Sequence, residues 1–114
     1  MRVLVVLLAV SGVAHADTEL CTKGAIYRGP ALDLDVKNAD VHDVYRLLSD
    51  VGRVNIVIAD DVRAKVTLRL KRVAWQQVAC TIAAVHRLQI LVDGNVLLVR
   101  PRAAGSRSPH PAYR

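Results

Sequence analysis

Phenylalanine is absent, tryptophan occurs once as Trp75 and tyrosine three times as Tyr27, Tyr45 and Tyr113, so aromatics make up 4% of the chain. Proteins that bind single-stranded RNA stack bases on interleaved aromatics or clamp the backbone with a glycine-rich loop. Neither pattern is present, so the surplus of basic residues does not indicate a nucleic-acid partner. Potential metal ligands are equally sparse. His15, His42, His86 and His110 are scattered, and Cys21 and Cys80 lie 59 positions apart, which excludes the close ligand spacing of zinc sites. Asp60-Asp61 reads as a solvated turn rather than a calcium site or an acid pair, and His86 as a complement to a helix dipole. With no nucleophile and base, acid pair or cofactor motif, no catalytic residue, metal or cofactor is expected, and the chain does not read as an enzyme.

Long apolar runs are missing too. The longest, Val3 to Val10, is broken by Ser11, Gly12 and His15, well short of the roughly 20 residues that span a bilayer. It follows Met1-Arg2 and precedes Ala14-His15-Ala16, the charged head, apolar core and small residues of a cleavable export signal. Residues 1–16 are therefore expected to be a signal peptide. Thr18-Glu19-Leu20 before Cys21 lack the small residues of a lipidation site.

Beyond the leader, 15 Lys and Arg face 10 Asp and Glu, a net charge of +5 on 98 residues. That length suits one domain with a small core, and that charge favours anionic partners without naming one. Two cysteines in an exported chain permit one disulfide, Cys21 to Cys80, with a pair of free thiols as the alternative.

Residues 17–30 form a polar lead-in that ends at the turn signal Gly29-Pro30. Leu32, Leu34 and Val36 alternate with Asp33, Asp35 and Lys37, a half-buried strand with an acidic outer face. Asp40 opens a helix, aided by Asp43, whose stripe is Val41, Val44, Leu48 and Val51 with Leu47 beside it; Gly52 is its expected stop. Val54, Ile56, Val57 and Ile58 suit a more fully buried strand. Val66, Leu68 and Leu70 alternate with Thr67, Arg69 and Lys71, a strand with a basic outer face. A second helix begins near Ala74 with Trp75, Val78, Ile82 and Val85 as its stripe, Ala79 and Ala83 beside it, and Trp75 as core anchor. A hairpin follows at Asp93-Gly94-Asn95, where either two-residue loop places Leu97 and Val99 on the face of Leu88 and Ile90. Residues 102–114 carry arginines and prolines with no acid and read as a disordered basic tail. The sum is an α+β domain of order βαββαββ, two helices packed with small two- and three-stranded sheets.

The run Leu32-Asp33-Leu34-Asp35-Val36-Lys37-Asn38-Ala39-Asp40, then Leu47-Leu48, Val54-Asn55-Ile56-Val57, Lys65 to Leu70, Val73-Ala74-Trp75-Gln76-Gln77, Leu88 and Gly94-Asn95-Val96 resembles the secretin and TonB short N-terminal domain family. The likeness is greatest to the front periplasmic domain of type IV pilus secretins and covers residues 31–101. It departs at Ala64, where the family has glycine, at Ala74 for proline, and at Ala79 and Ala83 for leucine. Cys80 takes a usually polar, outward position. The resemblance implies a periplasmic module that binds protein components of an outer-membrane secretin or TonB-type complex. The sequence ends thirteen residues after Pro101, so no pore is expected of it.

The expected role is thus a non-enzymatic periplasmic adaptor. Its candidate interaction surfaces are the basic face of Thr67, Arg69 and Lys71 and the acidic face of Asp33 and Asp35, with a peripheral contact of the tail to anionic membrane. The competing readings are a free-standing binder of an envelope small molecule or polymer, since fold does not fix function, and a degenerate stub of a longer secretin.

Overall fold

A computed structural model describes residues 18–103. The expected signal peptide and most of the basic tail lie outside these residues. The elements are β1 (Thr18–Glu19), β2 (Ala31–Asp40), α1 (Val41–Gly52), β3 (Asn55–Ile58), β4 (Lys65–Ala74), α2 (Trp75–His86), β5 (Leu88–Asp93) and β6 (Val96–Pro101). They form an α+β fold with one sheet of order β1-β5-β6-β3 and a two-stranded ribbon of β2 and β4. The expected three-stranded sheet is four-stranded. Thr18 and Glu19 of the lead-in pair antiparallel with Val92 and Leu91, and the Leu20 N–H continues the ladder to the Ile90 carbonyl at 2.9 Å. A two-residue strand is too short to show a period in sequence.

The helix α1 starts as the residues dictate: the Asp40 carboxylate accepts the His42 N–H at 2.8 Å, satisfying a donor that the first turn leaves unpaired. Val41, Val44 and Leu48 are buried as expected, and so is Tyr45, whose hydroxyl donates to the Ala79 carbonyl at 2.9 Å. Leu47 instead remains 40% exposed. The left-handed residue that ends α1 is Arg53, with φ of 55°, rather than Gly52.

Gly52 has a different reason to be glycine. A Cβ there would meet the Trp75 indole, Cδ2 lying at 2.7 Å, and a Cβ on Gly29 would meet Cδ1 at 2.6 Å. Trp75, 5% exposed, thus has both glycines hard against its indole, which makes it the anchor at the entrance of α2. Val78, Ala79, Ile82 and Ala83 continue the buried stripe, but Val85 is 68% exposed. The stripe follows the 3.6-residue period through Ala79 and Ala83, and their small side chains let α2 sit close to its neighbours. The hairpin has the two-residue loop Gly94-Asn95, with φ of +65° at Gly94, and Leu88, Ile90, Leu97 and Val99 share the core.

The strand β3 departs most from expectation. Among the described residues it pairs only with β6, in parallel, and forms the far edge of the sheet, so Ile56 and Ile58 pack inward while Val57 is 54% exposed. A short apolar run such as Ile56-Val57-Ile58 suggests burial on both faces, whereas only one face of β3 meets the core.

Candidate docking surface

The two expected interaction faces are one. Because β2 and β4 pair antiparallel with Asp35 opposite Arg69, the acidic and basic residues alternate across the same outer face of the ribbon. Arg69 Nε lies 3.7 Å from Asp35 Oδ2, with both side chains about three-quarters exposed (75% and 73%). Such a pair in water contributes under about 1 kcal/mol, so it leaves both groups ready to exchange partners.

Two of the five residues also serve the ribbon itself. Its register shifts between Leu32 and Leu34 and again between Val36 and Ala39, where one strand carries an extra residue. The extra residues are Arg72 and Asn38, both left-handed with φ of 52° and 59°. Their N–H groups turn away from the ladder, and the opposite strand captures each: Asp33 Oδ1 accepts from Arg72 at 2.7 Å, and Thr67 Oγ accepts from Asn38 at 2.8 Å. Asp33 and Thr67 therefore hold the shape of the face, while Asp35, Arg69 and the exposed Lys71 present its charge.

The lead-in is fastened to the domain. Cys21 and Cys80 are joined, with Cα atoms 5.5 Å apart. Cys80 is 8% exposed, not outward, because the lead-in covers it. The Tyr27 hydroxyl donates to the Leu20 carbonyl at 3.1 Å, and the Gly29 N–H to Gln76 Oε1 at 3.0 Å. Two residues before Cys21, Glu19 accepts from Gln89 at 2.9 Å and lies 3.7 Å from Arg102, whose N–H donates to the Arg87 carbonyl. The entering and leaving chains are thus pinned together.

The edge of β3 borders a shallow depression between it and α1, lined by His42, Arg46, Ser49, Ile56 and Ile58. His42 Nε2 lies 2.8 Å from the Val62 carbonyl and Ser49 Oγ donates to the Val54 carbonyl at 2.6 Å, so both side chains are held in place. The expectation of a more fully buried strand hid this edge: among the described residues β3 has no partner on its other side, and it carries neither charge nor proline. Elsewhere, among the described residues, no three His, Cys, Asp or Glu side chains gather as metal ligands, and Asp60 and Asp61 are exposed in a turn. His86 is partly exposed at the last turn of α2. Among the described residues no helix is long and apolar enough to cross a membrane.

No protein-family model matches the chain. Among solved structures, the fold is similar to the N0 domain of the type II secretin from enterotoxigenic Escherichia coli, with a TM-score of 0.57, 14% identity, and coverage of 63% of this chain and 95% of that one. The described domain is a secretin N-terminal domain in fold. Sequence likeness within that class runs to the type IV pilus secretins. The V. cholerae type IV competence pilus secretin PilQ is 40% identical with a TM-score of 0.55, covering 60% of this chain and 16% of that one. The fimbrial assembly protein PilQ of Pseudomonas aeruginosa is 37% identical over 75 residues, 66% of this chain. The type IV pilus biogenesis and competence protein PilQ of Neisseria gonorrhoeae is 30% identical over 78 residues, 68% of this chain. The chain spans 10% and 11% of the length of these two curated relatives.

Proposed function

We propose that this chain is an exported, non-enzymatic protein-interaction module of the periplasm that docks onto an outer-membrane secretin machine of the type IV pilus or a related kind. The observation that carries this reading is the 40% identity to a pilus secretin over a domain of the same fold. The docking face is the ribbon of β2 and β4, where Asp35, Arg69 and Lys71 stand exposed on a scaffold fixed by Asp33 and Thr67. A TonB-type receptor is the alternative partner, and anionic lipid a peripheral contact for the basic tail.

The test is capture from solubilised envelope by the mature oxidised domain, with the bound proteins identified by mass. Secretin components should be recovered by the wild type and reduced several-fold by Arg69→Glu with Lys71→Glu. Their absence, in cells shown to express a secretin machine, rejects the proposal. The mass of the exported protein checks the cut after Ala16.

A further inference from the structure

A sheet edge presents a row of unpaired N–H and C=O groups to any extended chain, and proteins ordinarily blunt such edges with charge, proline, bulges or shortness. Among the described residues, three of the four sheet edges are blunted. β1 is two residues long, and the ribbon strands carry bulges at Asn38 and Arg72 together with Asp33, Asp35, Lys37, Lys65, Arg69 and Lys71. The remaining edge is β3, Asn-Ile-Val-Ile, which has no charge, no proline and an unbroken register with β6. The Asn55 and Ala59 N–H groups donate to the Asn95 and Val99 carbonyls. By the alternation of a parallel ladder, those of Ile56 and Ile58 point to the open side.

The surroundings of that edge select a partner. On the inner side the depression beside it is lined by Arg46, His42, Ser49, Ile56 and Ile58 and by no carboxylate; Asp43 and Asp50 lie one turn to either side of Arg46 along α1, and Asp60 lines the adjoining depression beyond His42. On the outer side, register places Leu91, Leu98 and Val57 in one row across β5, β6 and β3, ending at the exposed Val57. We infer that the β3 edge accepts an extended acidic segment of a partner protein as a fifth strand, its apolar residues continuing the row beyond Val57 and a carboxylate meeting Arg46. A second copy of this chain fits less well. Antiparallel pairing of two β3 strands would bring two Arg46 side chains to the same seam, with no carboxylate in its lining.

The inference rests on the reading of this chain as a docking module and assigns a second surface, on the opposite sheet from the ribbon. The test uses the oxidised full-length mature protein, labelled for amide NMR, and three capped hexapeptides: alternating valine and glutamate, alternating valine and lysine, and the glutamate peptide N-methylated at alternate amides. The glutamate peptide should shift the amides of residues 55–59 and saturate at about millimolar concentration or below. The lysine peptide should bind at least about tenfold more weakly, N-methylation should abolish binding, and Arg46→Glu, at an exposed site, should reverse the charge preference. Equal binding of the glutamate and lysine peptides, indifference to N-methylation, shifts confined to other strands, or pairing of two copies through β3 overturns it. Failure of the peptides with envelope capture intact removes this site and leaves the module standing. Failure of capture with the peptides bound does the reverse.

Discussion

At the scale of single residues, Trp75 and its two glycines carry the sharpest consequence. Adding one methyl at Gly52 or Gly29 drives a Cβ into the indole, so Gly52→Ala and Gly29→Ala should each destabilise the domain by about 1–3 kcal/mol, read from urea midpoints. An ordinary helix-terminal glycine with no such neighbour would tolerate alanine. Asp33 and Thr67 make a second pair: Asp33→Ala and Thr67→Val should each cost about 1 kcal/mol and speed amide exchange at Arg72 and Asn38 respectively. Tyr45 provides a pH signature. Burial pushes its phenol well above the ordinary 10.0, so the folded state holds its proton where the unfolded chain releases it. The contribution is complete below pH 10.0 and is lost as pH rises above it, by up to about 1.4 kcal/mol per unit. Urea unfolding at pH 9 to 11 should show a steeper fall for wild type than for Tyr45→Phe. The sequence identifies Trp75 as an anchor but offers nothing for the slot, because Gly29, Gly52 and Trp75 meet only through tertiary packing.

At the scale of elements, legibility follows from whether neighbours or the strand itself decide the outcome. The Asp40 cap, the alternation of β2 and β4 and the parity of the β5–β6 hairpin are local rules, and each element forms where those rules place it. The strand β3 fails that test because its edge position depends on the sheet order, which no local pattern encodes. Val85 fails for a related reason. Alanines at 79 and 83 suffice on the tight face of α2, which turns Val85 to solvent. The lead-in belongs to the fold through β1 and the Cys21–Cys80 bridge, which closes a loop of 59 positions. Loop entropy at that length predicts a loss of about 4 kcal/mol on reduction, or in the Cys21→Ser, Cys80→Ser double variant, measured by denaturant unfolding with and without reductant.

At the scale of the whole molecule, the two sheets assign two different surfaces. The ribbon offers exchangeable charge on a bulged frame, whereas the larger sheet ends in an unguarded strand beside a groove that holds Arg46. The candidate residues of the ribbon were legible from alternation alone, but their union on one face required the register of β2 against β4. Neither surface resembles a catalytic centre, and the likeness to pilus secretins gives both a common context. The most direct measurement is site-specific photocrosslinking in intact cells from a photoreactive residue placed at Lys71, with the exposed Asp93 at the end of β5 as the control site. A crosslinked product that contains a component of the secretin machine is expected from Lys71, and none from the control. An exported, oxidised protein that yields no such product at Lys71, in cells assembling that machine, contradicts the proposed docking.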